Sequence, residues 1–249
     1  RHAVRSHKKI KEELPLIHTS RCELLSPIVS ANALEPRLCR VFAEPLTYFS
    51  YGRPAYRSKL GSSPGDSLAL CPVCFVFKPH VVPREVARVF PCDSGALHDD
   101  RFGPMLTSAD MGSLELDPTL DAARRYVDLF FPTNSQYYLG RVRKFVGARL
   151  DEAARRFLGL LISSGPVQFD DRCSAVEIQV RERIDLPHKL LYVILPREYL
   201  DRPAIRNAVF NVWNCEPILY STVHGDSPSA YYSVLRDRLF ARMRDSTRL

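Results

Sequence analysis

The stretch from Asp170 to Pro196 constrains the fold of this chain more than any other. Val176, Ile178 and Val180 alternate with Glu177, Gln179 and Arg181, the period-two pattern of a strand with one face in a core. Leu190 to Leu195 then forms an unbroken apolar run that ends at Pro196, as expected of a second and more fully buried strand. In this register Glu177 projects from the face opposite Val176 and Ile178. Its carboxyl is therefore either solvent decoration or the floor of a cleft.

Other segments fall around this pair. Strands are expected at Leu16–Ser20, Thr47–Tyr51, Leu70–Phe77, Val86–Phe90 and Pro217–Val223. Gly52 breaks the second, and Pro72 makes the third begin late or lie at an edge. Ser20 and Glu23 have capping-box spacing before a short helix, whose apolar face is Leu24, Leu25, Ile28 and Val29 and whose exit is Ala31-Asn32-Ala33. Helices are also expected over 120–131, Leu150–Ile162, Ala204–Trp213 and Tyr231–Met243. In the clearest of them, Leu150, Ala153, Ala154, Phe157, Leu158 and Leu161 recur at three and four. Residues 1–13 are polar and are expected to be frayed or helical. Gly61–Ser67 is a breaker-rich loop, and His98–Asp121 has little periodicity. Strands and helices do not alternate as in a doubly wound sheet, so the expected class is α+β with a mixed sheet. No repeat or long linker divides the 249 residues, which are read as one domain.

Bulk properties narrow the function classes. A hydrophobic content of 45% and a charged content of 25% describe a chain with a real core and exclude global disorder. No apolar run reaches membrane-spanning length, and the basic start lacks the apolar segment of a secretory signal. Seven cysteines, an odd number scattered through regular elements, suggest free thiols in a reducing, cytoplasmic setting. The net charge of +7 permits attraction to a polyanion. Arg236, Arg238, Arg242, Arg244 and Arg248 fit a solvated terminal helix as well as a phosphate-binding patch.

Several motifs bear on chemistry. Cys71-Pro-Val-Cys74, with His80, Cys92 and His98 following, offers metal-ligand types without the second close pair of a structural zinc site. Cys74-Phe-Val-Phe77 also reads as strand, and no metal is assigned. A phosphate-binding loop, a dinucleotide glycine fingerprint and a Gly-x-Ser-x-Gly elbow are all absent. His18-Thr19-Ser20 would set an imidazole and hydroxyls beside free amides, suited to a ribose and a phosphate, or would be a core histidine beside an N-cap. Tyr48-Phe-Ser-Tyr51-Gly-Arg53-Pro-Ala-Tyr-Arg57 offers aromatics for a base or nicotinamide ring and arginines for pyrophosphate.

Taken in order, these blocks resemble the ADP-ribosyltransferase superfamily, especially the bacterial branch of DarT-like DNA ADP-ribosyltransferases. The similar blocks are His18-Thr19-Ser20 with Leu25-x-x-Ile28, Thr47–Tyr51 with Arg53 and Arg57, and Arg172-Cys-Ser-Ala-Val-Glu177-Ile-Gln-Val. They cover about 60% of the chain, discontinuously, between His18 and Leu195. The resemblance implies a split mixed β-sheet with flanking helices that binds NAD as co-substrate. It implies His18, Thr19, Ser20, Tyr48, Tyr51 and Arg57 as NAD-binding residues, with Glu177 and Arg53 catalytic.

Two departures qualify the match. The catalytic strand reads Glu177-x-Gln179 where protein-arginine-modifying members often carry Glu-x-Glu. Arg53 lacks the Asn-Pro-Arg-Asn context of DarT sequences. The acceptor implied is a single-stranded nucleic acid, with an antitoxin or other protein partner for a toxin-type enzyme. Transfer to a protein or small molecule, NAD hydrolysis, and a non-catalytic nucleotide- or partner-binding module stand as alternatives. Residues 61–121 are expected as a substrate-facing insertion, and Phe90-Pro-Cys-Asp-Ser-Gly-Ala96 has no assignment.

Overall fold

Seven strands form one continuous path, and they are the seven expected from pattern. A computed structural model describes residues 1–8, 12–55, 68–79, 81, 83, 85–143, 150–162 and 171–245. The strands are β1 (Leu16–Arg21), β2 (Ala33–Leu34), β3 (Arg37–Leu38), β4 (Pro45–Tyr51), β5 (Pro72–Phe77), β6 (Val86–Phe90), β7 (Glu177–Val180), β8 (Ile184–Asp185), β9 (Leu190–Pro196) and β10 (Glu216–Tyr220). The main sheet runs β10-β9-β5-β1-β4-β7-β6, with β3 added to β4, while β2 and β8 pair separately. Among the described residues, only β9 and β10 are parallel. Parallel neighbours need a crossover, supplied here by the helices Arg197–Leu200 and Pro203–Asn207 and a π-helical turn at Ala208–Val212. The class is a mixed α+β fold.

Burial follows position in the sheet. Every residue of β5 is buried, which explains its continuous apolar run: it lies between β1 and β9 and is covered on both faces. Pro72 starts this interior strand without cost, since a first residue need not donate to the ladder, and its carbonyl accepts a hydrogen bond from the Tyr220 hydroxyl at 2.6 Å. Trp213, fully buried, meets Phe75 edge-on at 5.9 Å and donates Nε1 to Asn32 Oδ1 at 3.0 Å. Asn32 is the left-handed C-cap (φ 49°) of the helix Leu25–Ala31, so the indole ties that helix end to β5 and the crossover. The helix Leu120–Phe130 buries Ala122, Ala123, Tyr126, Val127 and Phe130, the face its spacing predicts. Glu152–Ile162 and Tyr231–Asp245 are also helical.

For residues 1–13, expected to be frayed or helical, the helical alternative holds where they are described, and two other expectations change. His2–Ser6 is helical and packs on the helix Leu120–Phe130, Arg5 is paired with Asp117, and His7 Nε2 lies 2.5 Å from Asp128 Oδ2. The region 61–121, expected as an insertion, supplies β5 in the sheet interior and β6 at its edge, so these two strands are framework. Ser20 does not cap a helix: it lies within β1, and the following 3₁₀ turn Cys22–Leu24 has Arg21 at its N-cap with no side-chain cap bond. The loop Gly61–Ser67 and His80 lie outside the described residues.

Candidate functional site

The sheet parts between its central strands. β1 and β4 pair only at Leu16↔Tyr51 and Ile17↔Ser50, whereas β1 keeps pairing with β5 through Arg21↔Pro72 and β4 with β7 through Thr47↔Val180. Beyond Ile17 the two strands diverge. The Tyr48 carbonyl, without a ladder partner on β1, accepts a hydrogen bond from His18 Nδ1 at 2.8 Å. A cavity of about 450 Å³ opens in the gap. His18, Thr19 and Ser20 line one side, Thr47, Tyr48 and Ser50 the other, and Glu177 lies on the next strand.

The imidazole state follows from its partner. A carbonyl oxygen only accepts, so the proton sits on Nδ1 and Nε2 is left as an acceptor. Burial lowers the His18 pKa; the bond to the Tyr48 carbonyl opposes this, and nearby Arg37 adds to the lowering. His18 is therefore neutral at pH 7. Phe49 and Phe75 hold the ring, each with its centroid 6.1 Å away.

Glu177 opens β7, opposite Ser50 on one side and Phe90 on the other. Its Oε1 accepts hydrogen bonds from Ser94 Oγ at 2.6 Å and Gln179 Nε2 at 2.6 Å. Gln179 Nε2 also donates to Ser94 Oγ at 3.0 Å, which closes a three-membered network. Burial first, and then the charge of Asp93, push the Glu177 carboxyl up from 4.5 to about 8 against those two donors. Gln179 is wholly buried behind it. The face that pattern alone would give to solvent is thus walled in.

Asp93 and Arg172 complete this end. Asp93 Oδ1 accepts from the Ala96 amide at 2.7 Å, and Oδ2 lies 3.6 Å from Arg172 Nη1. Both residues line the cavity, together with Arg37 and Arg40. Burial, the Cys39 thiol and Glu177 all raise the Tyr48 pKa, so its phenol stays protonated.

The structure gathers His18, Thr19, Ser20, Tyr48 and Glu177 in one cavity, but not Arg53 or Tyr51. Arg53 is 2% exposed and is absent from the lining; its guanidinium donates to Ser174 Oγ at 2.7 Å and approaches the Tyr137 carbonyl. Tyr51 is buried, accepting from the Leu14 amide at 3.0 Å. Alternation explains the difference, because Tyr51 is three positions from Tyr48 and so points to the opposite face. Arg57 lies outside the described residues.

Pattern reading missed Asp93 and Ser94, which belong to the unassigned block 90–96, and Gln179 as a support of Glu177. The usable signal was the N-cap spacing of Asp93 before Ser94–His98. Cys71 and Cys74 are both buried thiols, Cys74 within β5. Among the described residues no group of three or more His, Cys, Asp or Glu is placed to hold a metal, and no helix is long and apolar enough to cross a membrane. In Tyr231–Asp245, Tyr231, Leu235, Leu239 and Met243 face the core, while Arg238, Arg242 and Arg244 are exposed. No protein-family model and no curated protein matches the chain.

Proposed function

We infer that this chain is an ADP-ribosyltransferase that binds NAD in the cavity between β1 and β4 and passes ADP-ribose to a macromolecular acceptor, a nucleic acid in first place. The observation that carries this reading is the parting of the sheet after Ile17, with His18 on one lip and the half-buried Glu177 across the gap. His18 Nε2 is an available acceptor for a ribose hydroxyl. Tyr48 offers an aromatic wall for the nicotinamide ring.

Glu177 has the role that demands charge. As the bond from the ribose C1′ to nicotinamide breaks, positive charge develops on C1′ and the ring oxygen, and an ionised carboxylate beneath the ribose stabilises it most at that moment. The raised Glu177 pKa suits a site that meets a cationic substrate, because the nicotinamide charge favours the carboxylate form. Arg53, sealed in the interior, acts in this reading as a support of the wall rather than on NAD. The net charge of +7 favours a polyanionic acceptor. ADP-ribosyltransferase-like describes the sheet in this reading.

The test is incubation of the protein with labelled NAD, single-stranded DNA, RNA and a cell protein extract, following both label and free nicotinamide. Label on nucleic acid is the expected result. Label on protein changes the acceptor, and nicotinamide without transfer makes the protein a glycohydrolase. Neither signal at any salt concentration refutes the enzyme reading.

A further inference from the structure

We propose that Asp93 is the base that takes the proton from the incoming nucleophile, the second carboxylate of a two-carboxylate cleft; this rests on the ADP-ribosyl transfer reading. Asp93 follows β6 by three residues, and the last residue of β6, Phe90, is the cross-strand neighbour of Glu177. The turn at Pro91–Asp93 therefore returns an acid to the cavity that Glu177 already lines. Its two oxygens are placed differently. Oδ1 is held at 2.7 Å by the Ala96 amide. Among the described residues, the cation against Oδ2 is Arg172 Nη1 at 3.6 Å, beyond hydrogen-bond length. One oxygen fixes the side chain while the other keeps a lone pair for a proton.

The two acids differ in environment, the condition under which paired carboxylates divide labour. Glu177 is embedded among Ser94, Gln179 and the buried strand. Asp93 sits against a guanidinium and is 24% exposed. The step balances as follows. The nucleophile's oxygen or nitrogen bonds to ribose C1′ as its proton passes to Asp93 Oδ2. The bond from C1′ to the nicotinamide nitrogen breaks with its electron pair, leaving neutral nicotinamide, and Asp93 later returns the proton to solvent. Glu177 stabilises the developing cation and takes no proton.

Asp93→Asn tests this, because asparagine retains the N-cap and removes the base. Nicotinamide release by wild type, Asp93→Asn and Glu177→Gln is compared in two arms, one with water or the nucleic-acid acceptor and one with added azide. Azide attacks as an anion and gives up no proton. A positioned base is worth about 10²–10⁴-fold, so Asp93→Asn should fall at least about a hundredfold in the first arm. With azide it should stay within about threefold of wild type, while Glu177→Gln remains slow in both. Equal loss of Asp93→Asn in both arms, or no loss in either, overturns the proposal with the transfer reading intact. Absence of nicotinamide release by the wild type in both arms overturns the transfer reading, and this proposal with it.

Discussion

Replacing Glu177 by glutamine should stabilise the protein increasingly as pH rises. In the fold the carboxyl is pushed from 4.5 to about 8, chiefly by burial and then by Asp93. The native state thus keeps the proton at pH values where the unfolded chain has lost it. The sign follows from proton counting: native stability is unaffected below about 4.5, declines as pH rises from there to about 8, and is level above. At ~1.4 kcal/mol per pH unit the span sets a ceiling of about 4–5 kcal/mol. The opening of the cavity to solvent screens the charge and brings the figure to about 2 kcal/mol.

Glutamine at 177 keeps the acceptor that Ser94 Oγ and Gln179 Nε2 use and cannot ionise. Asp93, Arg172 and Tyr48, which face the position from the neighbouring elements, are common to both proteins. Circular-dichroism melts of both proteins at pH 5 and pH 9 are the assay. The variant's advantage in Tm should grow by about 4–8 °C between the two, taking ~2–4 °C per kcal/mol for a chain of this size. An advantage that is the same at both pH values, or that shrinks with pH, would refute the burial argument.

Other outcomes follow from the same geometry. His18→Ala removes the donor to the Tyr48 carbonyl and should cost about 1–3 kcal/mol of stability in chemical denaturation, while calorimetric titration with NAD should show affinity reduced by about tenfold or more. Since the free Glu177 carboxyl ionises near 8 and acts ionised, kcat/KM for nicotinamide release should rise with pH through that region; a flat profile from 6 to 9 would count against its role. Gly52→Ala should destabilise by about 2 kcal/mol or more by denaturant titration, because Gly52 has φ +70° and a Cβ there would lie 2.4 Å from Leu14 Cδ1. Arg53→Lys should lower Tm without a selective loss of NAD affinity, since the guanidinium is bonded to Ser174 inside the wall.

What was legible in the sequence depended on how local its cause was. The seven strands of the main path were readable because each has its own apolar pattern, as Val176–Val180 and Leu190–Leu195 do. The two-residue strands β2, β3 and β8 were not, since pairs such as Ala33↔Asp185 arise only when remote segments meet. The same distinction divides the site. His18, Tyr48 and Glu177 sit within patterned strands, so their facing could be argued from alternation. Arg53 and Tyr51 share a short motif with Tyr48, yet the chain passes from strand to turn at Gly52. That turn buries Arg53 against Ser174 and Gly140, which lie more than eighty residues away in sequence.

Asp93 and Ser94 show the converse case. Pro91-Cys-Asp-Ser-Gly-Ala96 has the composition of a turn, and its one signal, the N-cap spacing of Asp93, marks a helix start rather than a site. Its value comes from β6 pairing with β7, which brings Phe90 against Glu177 and carries Ser94 Oγ to 2.6 Å from that carboxylate. The acidity of Glu177 therefore depends on strand pairing across more than eighty residues. A change that shifts the β6 register, such as a proline at Val89, should alter the Glu177 titration as well as the stability. A ¹³C-carboxyl NMR titration of Glu177 in a folded variant reads the first effect separately from the second. An unchanged titration in a variant with shifted β6 pairing would mean that Ser94 and Asp93 do not set the properties of this carboxyl.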